Sequence, residues 1–350
     1  MKVHGAAYNL RFRHPFGISR GTKTHQPTFV VQLEHLGHTG YGEAPAIAYY
    51  HIPVEKMAED LERKKIFVEK FAFTEPDRWW HYLHHLYPNN SFLVCALDIA
   101  GWDLYGKMKG KELKEFWMPE QPCDPVCDYT IGIDSIEKMV EKLQEKPWPV
   151  YKIKLGTDND IGIIESLRRH TDSVFRIDAN AAWKAGEALQ KIEAFSRLGV
   201  EFIEQPLAKD DREGMKWLFE RSPLPLVADE SCVSENDVDN CHGRFHGINI
   251  KLTKCSGITP ALRMIRRARE LDMQVMIGAM NESTVGSAAI AHLMPLADHI
   301  DADGPLLLAD DLATGLEYRE DGHIYTSGLP GLGINFTGMD PGTAEPAALL

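Results

Sequence analysis

Five charged residues, one at the end of each of five consecutive apolar runs, constrain this chain more than anything else in it. Lys154 closes the run 150–155, Asp178 follows 174–177, Glu204 follows 200–203, Asp229 follows 224–228, and Lys251 lies in 248–252. Successive members are 24, 26, 25 and 22 residues apart. Short apolar runs of this kind read as buried strands. Between them lie amphipathic stretches such as 186–198, which Gly199 is expected to end in a left-handed cap. Strand, helix and strand need about this length, and parallel strands cannot pair without such a crossover. Further runs at 125–131 and near 274 and 298 bring the series to about eight strands. That fits a closed parallel barrel better than an open sheet. An open dinucleotide-binding sheet would carry a glycine-rich turn after its first strand, and none is present.

In a parallel barrel all strand C-termini open on one face. The order lysine, acid, acid, acid, lysine then places five charges around one point. A single strand-end acid is usually a helix cap or a solvated residue, but five in consecutive repeats are hard to produce that way. Three converging carboxylates repel one another unless a cation compensates them. An all-oxygen donor set suits Mg²⁺, with Mn²⁺ as the alternative. Lys152 lies two residues before Lys154 and shares its side of the strand. Together with the metal, that neighbouring ammonium would lower the pKa of Lys154 toward the range of a working base.

Residues 1–118 lack this rhythm. A strand at 29–36, a turn at 37–40 and a return strand precede helical patterns near 54–71, 76–86 and 90–108, which together describe an α+β domain. Residues 15–27 are rich in Gly, Ser and Thr and carry Arg20 and Lys23; they read as a solvated loop and a candidate lid. The barrel occupies 119–315, and the Gly- and Pro-rich stretch 316–350 is expected to be an extended tail returning to the first domain.

A net charge of −13 without a basic stripe argues against nucleic acid. His81, His84 and His85 read as a polar helix face, because no Cys or carboxylate stands at ligand spacing. The six scattered cysteines include one close pair, Cys123 and Cys127, with no second pair to complete a zinc ribbon, so free thiols are expected. No apolar segment suggests a signal peptide or a membrane span, and a cytoplasmic protein is expected.

The Lys152-Ile153-Lys154 motif, the Asp178, Glu204 and Asp229 triad, and Lys251 within 250–254 resemble the enolase superfamily, in its muconate-lactonizing subgroup. The resemblance spans almost the whole chain. It implies an α/β fold, a modified parallel (β/α)7β TIM-type barrel with an N-terminal α+β capping domain. It also implies Mg²⁺ on the triad and Lys154 and Lys251 as an acid/base pair acting on the proton α to a carboxylate. Asp301 and Asp303, two residues apart and so expected on one face, resemble the Asp-x-Asp motif of dipeptide epimerases that holds a substrate ammonium. Lys152, Thr130, Arg20 and Lys23 complete the expected substrate contacts. Two lysines on opposite faces suit inversion of a stereocentre. The expected reaction is epimerisation of a dipeptide at its C-terminal residue, with L-Ala-D/L-Glu from cell-wall peptide as the substrate. The alternatives are an o-succinylbenzoate synthase, N-acylamino acid racemase or cycloisomerase with the same metal site, and a non-catalytic, metal-stabilised barrel that binds a ligand. Assembly into homo-oligomers is left open.

Overall fold

The computed structural model describes residues 1–18 and 21–338. It begins with three antiparallel strands, β1 (Lys2–Ile18), β2 (Gly21–His35) and β3 (His38–Pro45). Leu36 and Gly37, with φ of 49° and 80°, form a two-residue turn between β2 and β3, two residues earlier than its glycines suggested. Three helices follow: α1 (Val54–Lys70), α2 (Pro76–Leu86) and α3 (Ser91–Lys109). Asn90 Oδ1 accepts from Leu93 N at 3.0 Å and starts α3; Gly110, at φ 65°, ends it. α3 lies directly on β3 because Gly42 has no side chain there. A β-carbon on Gly42 would stand 2.0 Å from Ala96 O. Phe29, Val31, Leu33, Met57, Leu61, Trp79, Leu93 and Leu97 form the core of this part.

Residues 15–18 and 21–27 are strand rather than loop. β1 and β2 continue as a long hairpin, with Phe16 opposite Lys23 and Ile18 opposite Gly21. The composition misled because Gly and Pro read as breakers, whereas here a register shift between Arg11 and Phe16 absorbs Pro15. The hairpin's outer end docks on the second part of the chain. Ile133 N donates to Gly17 O at 2.9 Å, and Ala309 N donates to Arg11 O at 2.8 Å.

That second part is a parallel barrel. Its strands are β4 (Tyr129–Ile131), β5 (Val150–Lys154), β6 (Val174–Asp178), β7 (Val200–Glu204), β8 (Leu226–Ala228), β9 (Gly247–Lys251), β10 (Gln274–Gly278) and β11 (His299–Asp301), hydrogen-bonded in sequence order. Parallel bridging of Cys127 to Ile300 closes the ring and rules out the open sheet. Helices α4 (Ile136–Glu145), α5 (Asp160–Arg168), α6 (Ala185–Phe195), α7 (Arg212–Phe219), α8 (Glu235–Cys241), α9 (Leu252–Cys255), α10 (Ile258–Glu270) and α11 (Thr284–Ala291) connect them, and α12 (Gly304–Leu307) follows β11. α6 ends at Phe195, and Gly199, at φ 70°, lies beyond a further turn rather than next to the helix end.

Inside the barrel, Phe202, Val227 and Met276 form a small apolar plug. Arg176 bonds Asp128 at 3.1 Å and Glu201 at 2.7 Å. After α12 the chain returns to the first part: Phe336 stacks on Tyr41 at 4.5 Å, and Leu332 N donates to Asp103 Oδ1 at 2.8 Å. His81, His84 and His85 lie exposed along α2, as a polar face does.

Candidate active site

Strand register assembles the site. Lys154 pairs with Asp178 across β5 and β6, and Asp178 with Glu204 across β6 and β7, so three ladder neighbours end side by side. Asp229 follows one residue after β8, and Lys251 ends β9. The exits from β6 and β7 turn sharply, with left-handed backbone at Asn180, Ala181 and Gln205. Such conformations cost about 1–2 kcal/mol each in non-glycine residues and persist where neighbours hold them. Here Asn180 N donates to Asp178 Oδ1 at 2.9 Å. Gln205 Oε1 accepts from Asp229 N and Ser231 N, both at 3.0 Å, tying one strand exit to the next.

Asp178, Glu204 and Asp229 each present an oxygen within 4.8 Å of the others, and all three are buried. Lys154 Nζ lies 2.6 Å from Asp178 Oδ2, and Lys251 Nζ lies 2.8 Å from Asp229 Oδ2. Lys254 holds Asp229 from behind, 2.6 Å from Oδ1, and also donates to Cys232 O and Asn249 O. Asn249 Nδ2 donates to Glu204 Oε1 at 2.8 Å. Glu204 Oε2 stands 2.8 Å from Lys152 Nζ but off the angle a hydrogen bond needs, so this buried oxygen has charge contact without an aligned donor.

The charges are strongly unequal. Burial would raise Asp229, but Lys251 and Lys254 outweigh it and hold it well below the usual carboxylate range. Burial opposes the charge of Asp178 too, but Lys154 and Lys152 lower its carboxyl. Glu204 is raised by burial and by Asp178, against the pull of Lys152. A buried oxygen without a donor, three crowded carboxylates and an all-oxygen donor set together fit a hard divalent cation.

A cavity of about 270 Å³ opens over this cluster. Lys154, Lys251, Asp229, Asp301, Asp303, Thr130 and Lys23 all line it. Asp301 ends β11, and Asp303 lies past the strand at the start of α12, so strand alternation is not what brings the two together. Nor does Asp303 cap that helix with its side chain; its Oδ2 accepts from Thr130 N at 2.6 Å instead. Burial and the neighbouring Asp301 push the Asp303 carboxyl up to about 7. Lys152, expected to face substrate, is sealed behind the wall at 1% exposure and bonds Asp301 at 2.8 Å. Burial opposes its charge, but Asp301, Glu204 and Asp178 outweigh that and keep it an ammonium. Arg20 lies outside the described residues.

Sequence reasoning missed the turn 47–50, which brings Ile47, Tyr49 and Tyr50 to the cavity, and the wall formed by Ala279, Met280 and Asn281. The aromatic pair Tyr49-Tyr50 between a strand and a helix was the available signal for the first. Asn249, two residues before Lys251 on one strand, could have been read as sharing its side.

Comparison with known proteins matches both parts. Residues 3–116 fit the mandelate racemase / muconate lactonizing enzyme N-terminal domain, and 134–340 fit the enolase C-terminal domain-like family. An L-Ala-D/L-amino acid epimerase of Flavobacterium johnsoniae is 48% identical over 334 residues, covering 95% of this chain and 99% of that protein. The substrate-liganded L-Ala-D/L-Glu epimerase from Bacillus subtilis superposes with a TM-score of 0.90 at 26% identity, covering 97% of this chain and 100% of that one. A dipeptide epimerase from Enterococcus faecalis, complexed with Mg and L-Leu-L-Tyr, gives 0.87 at 27% identity, over 95% and 98% of the two chains.

Proposed function

We infer the reaction from the premise these matches supply: the chain belongs to the enolase superfamily, in its mandelate racemase / muconate lactonizing branch. It is an isomerase that epimerises dipeptides. The observation that carries this reading is the pair Lys154 and Lys251, standing on strands β5 and β9 on either side of the three acids, in a cavity that also holds Asp301 and Asp303.

In the mechanism we propose, Asp178, Glu204 and Asp229 hold Mg²⁺. Bound there, the ion supplies positive charge against the negative charge that develops on the substrate carboxylate. One lysine, as the free amine, takes the α-proton of the C-terminal residue. The other, as ammonium, returns a proton to the opposite face, which inverts the centre and leaves the two lysines with exchanged charge states. Lys254 and Asn249 keep Asp229 and Glu204 in place without touching substrate. Asp301 and Asp303 receive the substrate's ammonium, whose charge relieves the repulsion that raises Asp303. An N-acylated or wholly anionic substrate would bring no ammonium to these two acids, which disfavours the synthase, N-acylamino acid racemase and cycloisomerase readings.

For the finer specificity we propose L-Ala-D/L-Glu, the cell-wall pair. Lys23 supports it: it lines the cavity, burial depresses its pKa, and no carboxylate among the described residues pairs with it. A cytoplasmic setting suits the six free cysteines. No helix among the described residues is long and apolar enough to cross a membrane.

The test is α-deuterium uptake in D₂O from L-Ala-L-Glu and from its N-acetyl form, with the wild type and with Lys154→Ala and Lys251→Ala. Uptake and epimerisation of the free dipeptide alone are expected; epimerisation should stop in both directions in each variant, while exchange should survive only from the stereoisomer whose face the remaining lysine serves. Equal turnover of the acetylated form would overturn the role of Asp301 and Asp303. Absence of uptake across a panel of free dipeptides would favour the non-catalytic barrel.

A further inference from the structure

Glu282 lies between the cavity wall and the junction of the two parts of the chain, and the mechanism above does not use it. β10 ends at Gly278, and the next three residues, Ala279, Met280 and Asn281, line the cavity. Asn281 turns left-handed at φ 73°, and the side chain of Glu282 folds back so that Oε2 accepts from Met280 N at 2.7 Å. Two glycines make room for this. A β-carbon on Gly286 would stand 2.5 Å from Glu282 Cγ, and one on Gly304 would stand 2.1 Å from Glu282 O. Gly304 directly follows Asp303, so Glu282 braces both walls at once. The residue is only 4% exposed.

Glu43 reaches across from β3. Its Oε1 accepts from Thr28 Oγ1 at 2.8 Å and Ser283 N at 3.1 Å, and its Oε2 accepts from Ser283 Oγ at 2.6 Å and Gly286 N at 2.9 Å. Burial raises the Glu43 carboxyl above the usual range; four donors oppose that rise and pin the start of α11 to the capping sheet. We propose that Glu282, braced beside Glu43, is a positioning residue that fixes the 279–281 wall of the substrate cavity and releases it when both carboxyls are charged. The inference rests on the epimerase reading of that cavity.

The titratable groups facing Glu282 from the packed elements are Glu43 on β3, Cys95 on α3 and Lys251 on β9; α12 adds only Asp303 at its start, which turns to Thr130. Burial, with Glu43 adding to it, pushes Glu282 up to about 8, so the carboxyl is neutral at pH 7. Above pH 8 a second buried charge stands against Glu43, and the wall that Met280 belongs to loosens.

The experiment measures kcat and KM for L-Ala-L-Glu from pH 6.5 to 9.5 in wild type, Glu282→Gln and Glu282→Ala, with hydrogen exchange of the 279–283 amides at pH 7. Wild-type KM should rise several-fold above pH 8. Glu282→Gln keeps an acceptor for Met280 N and should show a flat KM. Glu282→Ala should raise KM about tenfold at every pH, with kcat changed much less, and should speed exchange at Met280; Glu282→Gln should restore slow exchange. Superimposable pH profiles for wild type and Glu282→Gln would overturn the proposal, as would unchanged exchange in Glu282→Ala. A wild type without dipeptide turnover would refute the epimerase reading instead, and the exchange comparison would still decide the bracing role. Should the alanine variant not fold, the glutamine variant decides alone.

Discussion

Replacing Lys23 by methionine removes one charge from the cavity wall and keeps most of the stem's volume. Lys23 sits on β2 opposite Phe16, and no acid among the described residues pairs with it. An ammonium and a carboxylate about 4 Å apart attract by about 4 kcal/mol at an effective dielectric near 20. Ordering the lysine stem costs up to about 2 kcal/mol, and stripping water from the incoming carboxylate takes part of the rest. About 1.5–2 kcal/mol should remain, at the low end of what hydrogen bonds to charged groups contribute. At about 1.4 kcal/mol per factor of ten, Lys23→Met should lower kcat/KM for L-Ala-L-Glu by roughly 10- to 30-fold. Turnover of L-Ala-L-Met, which offers no side-chain charge, should stay within about twofold. Chiral chromatography of quenched reactions reads both substrates directly. Raising salt should weaken the wild-type preference for the acidic dipeptide, because a half-exposed pair is screened. An equal fall for both substrates would show that Lys23 shapes the hairpin rather than reading charge.

Two further outcomes follow from the same geometry. Chelation should abolish activity and Mg²⁺ should restore it; at about 100 times its dissociation constant the ion should stabilise the fold by about 2.7 kcal/mol, raising Tm by on the order of 5 °C, and Asp229→Asn should lose that shift. Gly17→Ala puts a β-carbon 2.2 Å from Ile133 O, so the hairpin must lift from the barrel. With overpacking worth about 1–3 kcal/mol, KM should rise about tenfold while the Tm of the barrel changes little, and an unchanged KM would show that the hairpin does not close the cavity.

The barrel half was legible because its signal is periodic. A charged residue at each strand end, repeated at a crossover's length, permits few arrangements, and the register of β5, β6 and β7 assembles Lys154, Asp178 and Glu204 as that spacing implies. The capping half has no such repeat. Its hairpin was misread as a loop because pairing such as Phe16 with Lys23 depends on a partner strand that composition does not announce. Glu282 was invisible for a related reason: its surroundings come from β3, α3 and β9, which lie far apart in sequence. Lys152 shows the limit of alternation. It shares the inward side with Lys154, yet its greater depth makes it a partner of Asp301 rather than a wall residue.

Depth also explains how Asp301 and Asp303 divide their work. Asp301 is already engaged by Lys152, an ammonium it shares with Glu204 and Asp178. Asp303 is held by Thr130 through both its amide and its side chain, and with its carboxyl pushed up to about 7 it is partly protonated at pH 7. A substrate ammonium therefore meets one committed carboxylate and one that can lose its proton on binding. A zwitterionic dipeptide with an acidic side chain would place its ammonium against Asp303, its α-carboxylate over the triad, and its side chain toward Lys23. On the proposed reading each substrate charge would have one counterpart in the cavity, with Asp303 giving up its proton when the ammonium arrives. Selection for a free dipeptide would then be built from charge pairing at three separate points, two on the barrel and one on the cap.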